Sequence, residues 1–173
     1  MNKQILRNKY KEIRKNIKDK EEQANIIFNK VINLEEYKQN NLILTYVSLK
    51  DEADTIKLIE HSLEIGKQIA VPKCEGDDIV FYYISGFEDL QEGKFGILEP
   101  NTKEKVNDFT NSICIVPGIV FDKQNNRIGY GRGFYDRFLE KYKGVKIGLT
   151  YKECICDKID TDINDIKMDK VIF

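Results

Sequence analysis

Residues 113–136 read ICIVPGIVFDKQNNRIGYGRGFYD, and the fold can be read outward from this stretch. Ile113 to Val116 is a short apolar run of the kind that forms a buried strand, and Pro117 and Gly118 end it. Beyond the glycines, Tyr135, Phe138, Leu139 and Tyr142 recur at helical spacing, so the chain passes from a buried strand through a loop into a helix. The same alternation extends in both directions. Upstream, Leu42 to Val47 reads as a strand, Asp54 as the cap of a helix carrying Ile56, Ile59 and Leu63 that Gly66 closes, and Ile69 to Pro72 and Ile79 to Ile84 as two further strands. Downstream, Val145 to Leu149 reads as one more. Strands alternating with helices predict a single α/β domain with a mostly parallel sheet. Such sheets bind ligands beyond the carboxyl ends of their strands, which directs attention to the segments following Val47, Val116 and Leu149.

Composition narrows the function. The chain has 173 residues, 41% apolar and 33% charged, which suits one compact core rather than two independent domains. Lys and Arg number 28 against 29 for Asp and Glu, so a general polyanion-binding surface is excluded and any anion chemistry must be local. No run approaches the roughly 18 apolar residues of a membrane span. The basic N-terminus lacks the apolar stretch of a signal peptide, so a soluble, cytoplasmic protein is expected. Cys74, Cys114, Cys154 and Cys156 form no CxxC pair, and with His61 as the single histidine the soft ligands are too few for a zinc site. The cysteines read as reduced bystanders, and His61, mid-helix, as structural.

Residues 2 to 18 carry Leu6, Tyr10, Ile13 and Ile17 at spacings of four, three and four, predicting an amphipathic helix with Lys3, Arg7, Lys11, Arg14 and Lys18 as an adjacent stripe. The first twenty residues hold eight basic and two acidic side chains, which by themselves read as a solvated face. A second helix is expected over 21–34, with Ala24, Ile27, Val31 and Leu34 inward.

The loop after Val116 carries the chemistry. Gly129, Gly131 and Gly133 alternate among Arg127 and Arg132, with Tyr135 and Asp136 following. Alternating glycines permit positive φ and bring N–H groups close to an anion at a helix start, while the arginines add charge for phosphate oxygens. No GK[ST] follows, so this is not a Walker loop, and Phe134 at the third glycine position of GxGxxG excludes the dinucleotide fingerprint. Asp136 is placed where Mg²⁺ could be shared with a polyphosphate. The competing reading is a tight strand-to-helix connection with surface arginines and a first-turn Asp that helps the helix dipole.

These residues resemble the 5-formyltetrahydrofolate cyclo-ligase (methenyltetrahydrofolate synthetase) family, and the likeness runs end to end. The family's N-terminal K-x-x-x-R matches Lys3 and Arg7, and its D-E-x-D/E-T segment matches Asp51, Glu52, Asp54 and Thr55. Its G-K-x-(I/V)-x-x-P strand matches Gly66, Lys67 and Pro72, and its G-I-x-E-P segment Gly96, Ile97, Glu99 and Pro100. P-G-x-x-F-D and R-x-G-x-G-x-G-Y-Y-D match Pro117 to Asp122 and Arg127 to Asp136, and a closing D-x-x-(M/V/L)-D pattern matches Asp165 and Asp169. Four positions depart from the pattern: Asn125 stands for a common Gly, Phe134 for Tyr, Asn164 for His and Cys154 for Gln.

The resemblance implies a three-layer α/β/α fold with a mostly parallel central sheet. It also implies ATP- and Mg²⁺-dependent cyclisation of 5-formyltetrahydrofolate to 5,10-methenyltetrahydrofolate, releasing ADP and phosphate. It assigns ATP to Lys3, Gln4, Ile5, Leu6 and Arg7 and to Arg127, Ile128, Gly129, Tyr130, Gly131, Arg132, Gly133, Phe134 and Tyr135. Folate falls to Val47 and Glu52 with Gly131, Arg132, Gly133, Phe134 and Tyr135, and Mg²⁺ to Asp136 and Asp169. Arg127, Arg132 and Tyr135 are then the expected catalytic residues, and the basic helix becomes an ATP element rather than a solvated face. The expected partner is the small-molecule folate, with no nucleic acid or membrane, and the expected state a monomer. Two alternatives stand beside this: a small-molecule kinase of similar fold, and a noncatalytic relative that binds folate or a nucleotide.

Overall fold

The computed structural model describes residues 2–173. In chain order the elements are α1 (Lys3–Lys15), α2 (Lys20–Ile32), α3 (Glu35–Gln39), β1 (Leu42–Thr45), α4 (Ile56–Glu64), β2 (Gln68–Glu75), β3 (Asp78–Ile84), β4 (Leu90–Glu92) and β5 (Leu98–Pro100). They continue as β6 (Ser112–Val116), β7 (Val120–Asp122), β8 (Arg127–Ile128), α5 (Phe134–Lys141), β9 (Val145–Leu149), β10 (Ile155–Cys156) and β11 (Lys170–Ile172). Six strands form the central sheet in the order β11-β9-β6-β1-β2-β3, parallel at every pairing except β2 with β3. The five strands read from the sequence all lie in this sheet.

Because side chains alternate across a strand, each face collects its own apolar set. Ile43, Ile113, Ile115 and Ile147 face Ile27 and Val31 of α2 and Leu58 and Ile59 of α4. Leu42, Leu44, Cys114 and Val116 face Leu139 and Phe138 of α5. Helices thus cover both faces, giving the three layers that the resemblance implies. Pro72 is tolerated inside β2 because β1 pairs only with Gln68 to Ala70, so the proline lies past that ladder. No helix among the described residues is long and apolar enough to cross a membrane.

A third cluster stands apart from the main sheet. Leu6 and Tyr10 of α1 pack on Ile119, Val120, Ile128, Cys154 and Ile159, which belong to or flank the small sheet β10-β7-β8. The basic helix is therefore docked on the element from which the glycine loop springs.

Several boundaries differ from the sequence reading. The first helix stops at Lys15, with the Asn16 side chain returning to Glu12 O at 2.8 Å, and Gln23 rather than Ala24 is buried in α2. Thr55 occupies the cap position of α4, while Asp54 reaches the Lys57 N–H at 3.4 Å. In the β7–β8 turn Asn125, which stands for a common Gly, has φ +68°, the left-handed region that glycine or asparagine accepts. Asp122 fastens this turn by accepting from Gln124 N, Asn126 N and the Asn126 side chain, and it ties in the C-terminal segment through Ile159 N.

Candidate functional site

The chain turns to one side of the sheet after β1 and to the other after β6, and these two strands are neighbours. Their carboxyl ends flank a switch point, where α/β sheets open a crevice. From β1 the chain enters residues 46–55, which carry Glu52; from β6 it enters the small sheet and the glycine loop.

Two of the three loop glycines are left-handed, Gly131 at φ +97° and Gly133 at +70°. Gly133 is the N-cap of α5 and no side chain caps that helix. Arg7 of α1 lies over this backbone: its Nε donates to Gly129 O at 2.9 Å, and a Cβ on Gly131 would sit 3.3 Å from its Cζ. The N-terminal cation and the loop, 122 residues apart, are in direct contact.

The remaining assigned residues divide by partner. Arg127 is buried beneath the loop, donating to Pro117 O and to Asp136 Oδ1, each at 3.1 Å, with its guanidinium over the Tyr135 ring. Its Nε and the Tyr135 hydroxyl are both buried without a hydrogen-bond partner among the described residues. Burial pushes the Tyr135 phenol well above its usual pKa. Arg132 stands on the exposed side of the loop. Asp136 Oδ1 also accepts from Ile166 N at 3.3 Å. Asp169 is held elsewhere, accepting from Lys146 N at 2.7 Å and pairing with its ammonium at 3.4 Å. No group of three His, Cys, Asp or Glu suited to a metal occurs among the described residues.

Lys3 pairs with Asp162 and Asp165 of the C-terminal segment. Desolvation works against its ammonium, but the two carboxylates outweigh that and raise its pKa. Val47 is a core residue. Glu52 is buried: Oε2 accepts from Leu49 N at 2.8 Å and Oε1 from the Tyr130 hydroxyl at 2.6 Å. Glu52 thereby bridges residues 46–55 to the glycine loop. Burial, then the Glu52 charge, raise the Tyr130 phenol.

Arg14 was placed by spacing in the solvated stripe, and the structure corrects this: it is buried, with Nη2 2.9 Å from the Tyr130 hydroxyl and Nη1 3.3 Å from Gly118 O. The signal was present, since Arg14 follows Tyr10 by one helical turn and so borders the apolar face. His61 is a packing residue, edge-on to Phe28 at 5.4 Å. All four cysteines are free, and burial raises Cys154 to about 11, far from a reactive thiolate. A cavity of about 750 Å³ lies near the amino ends of β6 and β9, lined by Phe81, Phe109, Phe138 and Tyr142 among others. None of the residues assigned from the sequence lines it.

The model of the 5-formyltetrahydrofolate cyclo-ligase family matches residues 1–173. A probable 5-formyltetrahydrofolate cyclo-ligase of Schizosaccharomyces pombe is 32% identical over 84% of this chain and 81% of its own length. The 5-formyltetrahydrofolate cyclo-ligase of Mus musculus is 26% identical over 87% of this chain and 82% of its own. Among solved structures, the 5,10-methenyltetrahydrofolate synthetase of Aquifex aeolicus superposes with a TM-score of 0.88 at 32% identity, covering 99% of this chain and 89% of that one.

Proposed function

Because the chain belongs to the 5-formyltetrahydrofolate cyclo-ligase family, we propose that it uses ATP and Mg²⁺ to close 5-formyltetrahydrofolate to 5,10-methenyltetrahydrofolate, releasing ADP and phosphate. The formamide on N5 is a poor electrophile and its oxygen a poor leaving group. Transfer of the γ-phosphoryl group to that oxygen releases ADP and yields an imidate phosphate. N10 then attacks the formyl carbon, gives up its proton and expels phosphate, closing the five-membered ring.

The protein's task is alignment and charge neutralisation rather than acid–base exchange. Arg7, Arg132 and the N–H groups at the start of α5 hold the phosphates, and Glu52 accepts pterin N–H donors while Tyr135 covers the ring. Arg127 keeps Asp136 and the loop in register from below. The donor chemistry fits Mg²⁺ at Asp136, a carboxylate at the helix start beside the loop; the ion would neutralise charge on the transferring group. Asp169 is engaged at Oδ2 by the Lys146 N–H and ammonium.

The observation that supports this reading is convergence: bonds from Arg7 to Gly129, Tyr130 to Glu52 and Arg127 to Asp136 draw the matching motifs to one end of the sheet. The test is to mix protein, Mg-ATP and 5-formyltetrahydrofolate and follow the ultraviolet band of the methenyl product together with free phosphate. Both should rise together and only with ATP. A stable phosphorylated folate with no methenyl band would point to a kinase and sink the reading.

A further inference from the structure

α1 grips the glycine loop at two successive residues. Arg7 bonds the Gly129 carbonyl, and Arg14, seven residues later on the same face of the helix, bonds the Tyr130 hydroxyl. The direction of the second contact is fixed by chemistry. A guanidinium only donates and an ionised carboxylate only accepts, so the hydroxyl takes its hydrogen bond from Arg14 and gives its own proton to Glu52 Oε1. The other oxygen of Glu52 is held by Leu49 N. Tyr130 is 44% exposed, so this residue contributes little as a packing anchor; what holds it is the hydroxyl, bonded to both Arg14 and Glu52. Arg14 is itself buried, and its Nε finds no hydrogen-bond partner among the described residues. A cation placed this way is unfavourable for folding alone, and departures of this kind gather at functional sites.

We infer that Arg14 and the Tyr130 hydroxyl are positioning residues that fix the Glu52 carboxylate toward folate and tie that side of the site to the placement of the glycine loop. The inference rests on the proposed folate role of Glu52 and assigns the Tyr130 hydroxyl to the folate side, although Tyr130 belongs to a loop that the resemblance gives to ATP. A loop displaced by the phosphates would drag Glu52 through a single 2.6 Å bond, so the two ligand sites are mechanically linked.

Kinetics with both substrates test it, using Tyr130→Phe, Glu52→Gln, their double variant, and Arg14→Lys beside Arg14→Met. Tyr130→Phe removes one oxygen and should raise the folate KM about tenfold while the ATP KM moves less than twofold. In the Glu52→Gln background the same change should alter the folate KM less than twofold, because the group it positions has gone. Arg14→Lys should recover most of the folate affinity lost in Arg14→Met; if neither Arg14 variant folds, the Tyr130 cycle decides alone. Multiplicative losses in the double variant, parallel rises in both KM values, or an unchanged folate KM would each overturn the inference. Failure of the wild-type protein to form the methenyl product would instead overturn the proposed function.

Discussion

Asp136→Asn is the substitution that separates the structural role of one side chain from its proposed one. The carboxylate is both the proposed Mg²⁺ ligand and the counter-charge of Arg127, whose side chain is 4% exposed against 28% for Asp136. Asparagine keeps the shape and can still accept from Arg127 and Ile166 N at Oδ1, so what is lost is charge assistance on the 3.1 Å contact. Bonds to a charged group contribute about 1.5–3 kcal/mol, and the guanidinium keeps its charge, so losing the acceptor's charge leaves a deficit of about 1 kcal/mol. The uncompensated charge of a buried arginine adds to it, moderated by the Pro117 carbonyl that remains, for a total of about 2 kcal/mol. For a chain of this length that corresponds to a melting temperature lowered by about 4–8 °C. Turnover should fall more than tenfold, and the Mg²⁺ concentration for half-maximal rate should rise, so that added Mg²⁺ restores part of the activity. Calorimetry and an Mg²⁺ titration of the initial rate, run below the lowered melting temperature, read the two roles separately. An unchanged melting temperature would refute the anchoring role. A reduced rate with an unchanged Mg²⁺ requirement would refute the ligand.

Arg7→Ala should weaken ATP binding by roughly ten- to a hundredfold, since one charge-assisted phosphate contact is removed; wild-type ATP affinity by titration would remove Arg7 from the ATP site. Glu52→Gln should weaken folate binding by roughly ten- to a hundredfold with ATP affinity within about twofold, and equal losses for both ligands would remove Glu52 from the folate side. Lys3 is held by Asp162 and Asp165, so replacing both with Asn should free it and tighten ATP binding at low Mg²⁺; weaker binding would mean that the pair braces the site instead. Burial alone would raise the Asp122 carboxyl, but hydrogen bonds from Asn126, Ile159 N and Gln124 N outweigh it and hold the pKa below the usual 3.8. A depressed folded pKa stabilises the fold above the unfolded value and is lost as pH falls through the folded one, so stability should drop below about pH 4 with a slope that Asp122→Asn lacks; identical slopes in denaturant titrations would refute it.

What the sequence made legible were elements long enough to show a period or a buried run. Leu42, Ile69, Ile79, Ile113 and Val145 each open or lie near the start of an apolar stretch, and each stretch became a strand of the main sheet. The strands β7, β8, β10 and β11 have two or three residues each, and α3 has five, too few for alternation or a helical repeat to register. Yet β7, β8 and β10 are what carry the loop and receive α1. The site was legible in its residue types and only through resemblance in its grouping, because spacing along the chain says nothing about contacts such as Arg7 with Gly129 or Lys3 with Asp165. Arg14 shows the limit most plainly: a basic residue on the border of an apolar stripe reads as solvated until its partners, Tyr130 and Gly118, are brought to it from elsewhere in the chain.

Counting cations in the sequence overstates the field available to a triphosphate. Of the basic residues gathered at the loop, Lys3 is opposed by two aspartates, Arg127 by Asp136, and Arg14 by Glu52 through the Tyr130 hydroxyl. Arg7 differs, because its partners, the Gly129 carbonyl and the Gln4 side chain, are neutral oxygens that leave its charge undiminished. With an overall formal charge of -1 the rest of the surface adds no general attraction. On the proposed reading, phosphate binding would draw on main-chain N–H groups at the left-handed glycines, on Arg7 and Arg132, and on a cation that arrives with the nucleotide. The proposed metal requirement would answer that division of charge: Arg127 and Arg14, which hold the loop in shape, already have counter-charges of their own, and the charge developing on a transferring phosphoryl group would be left for Mg²⁺ to meet.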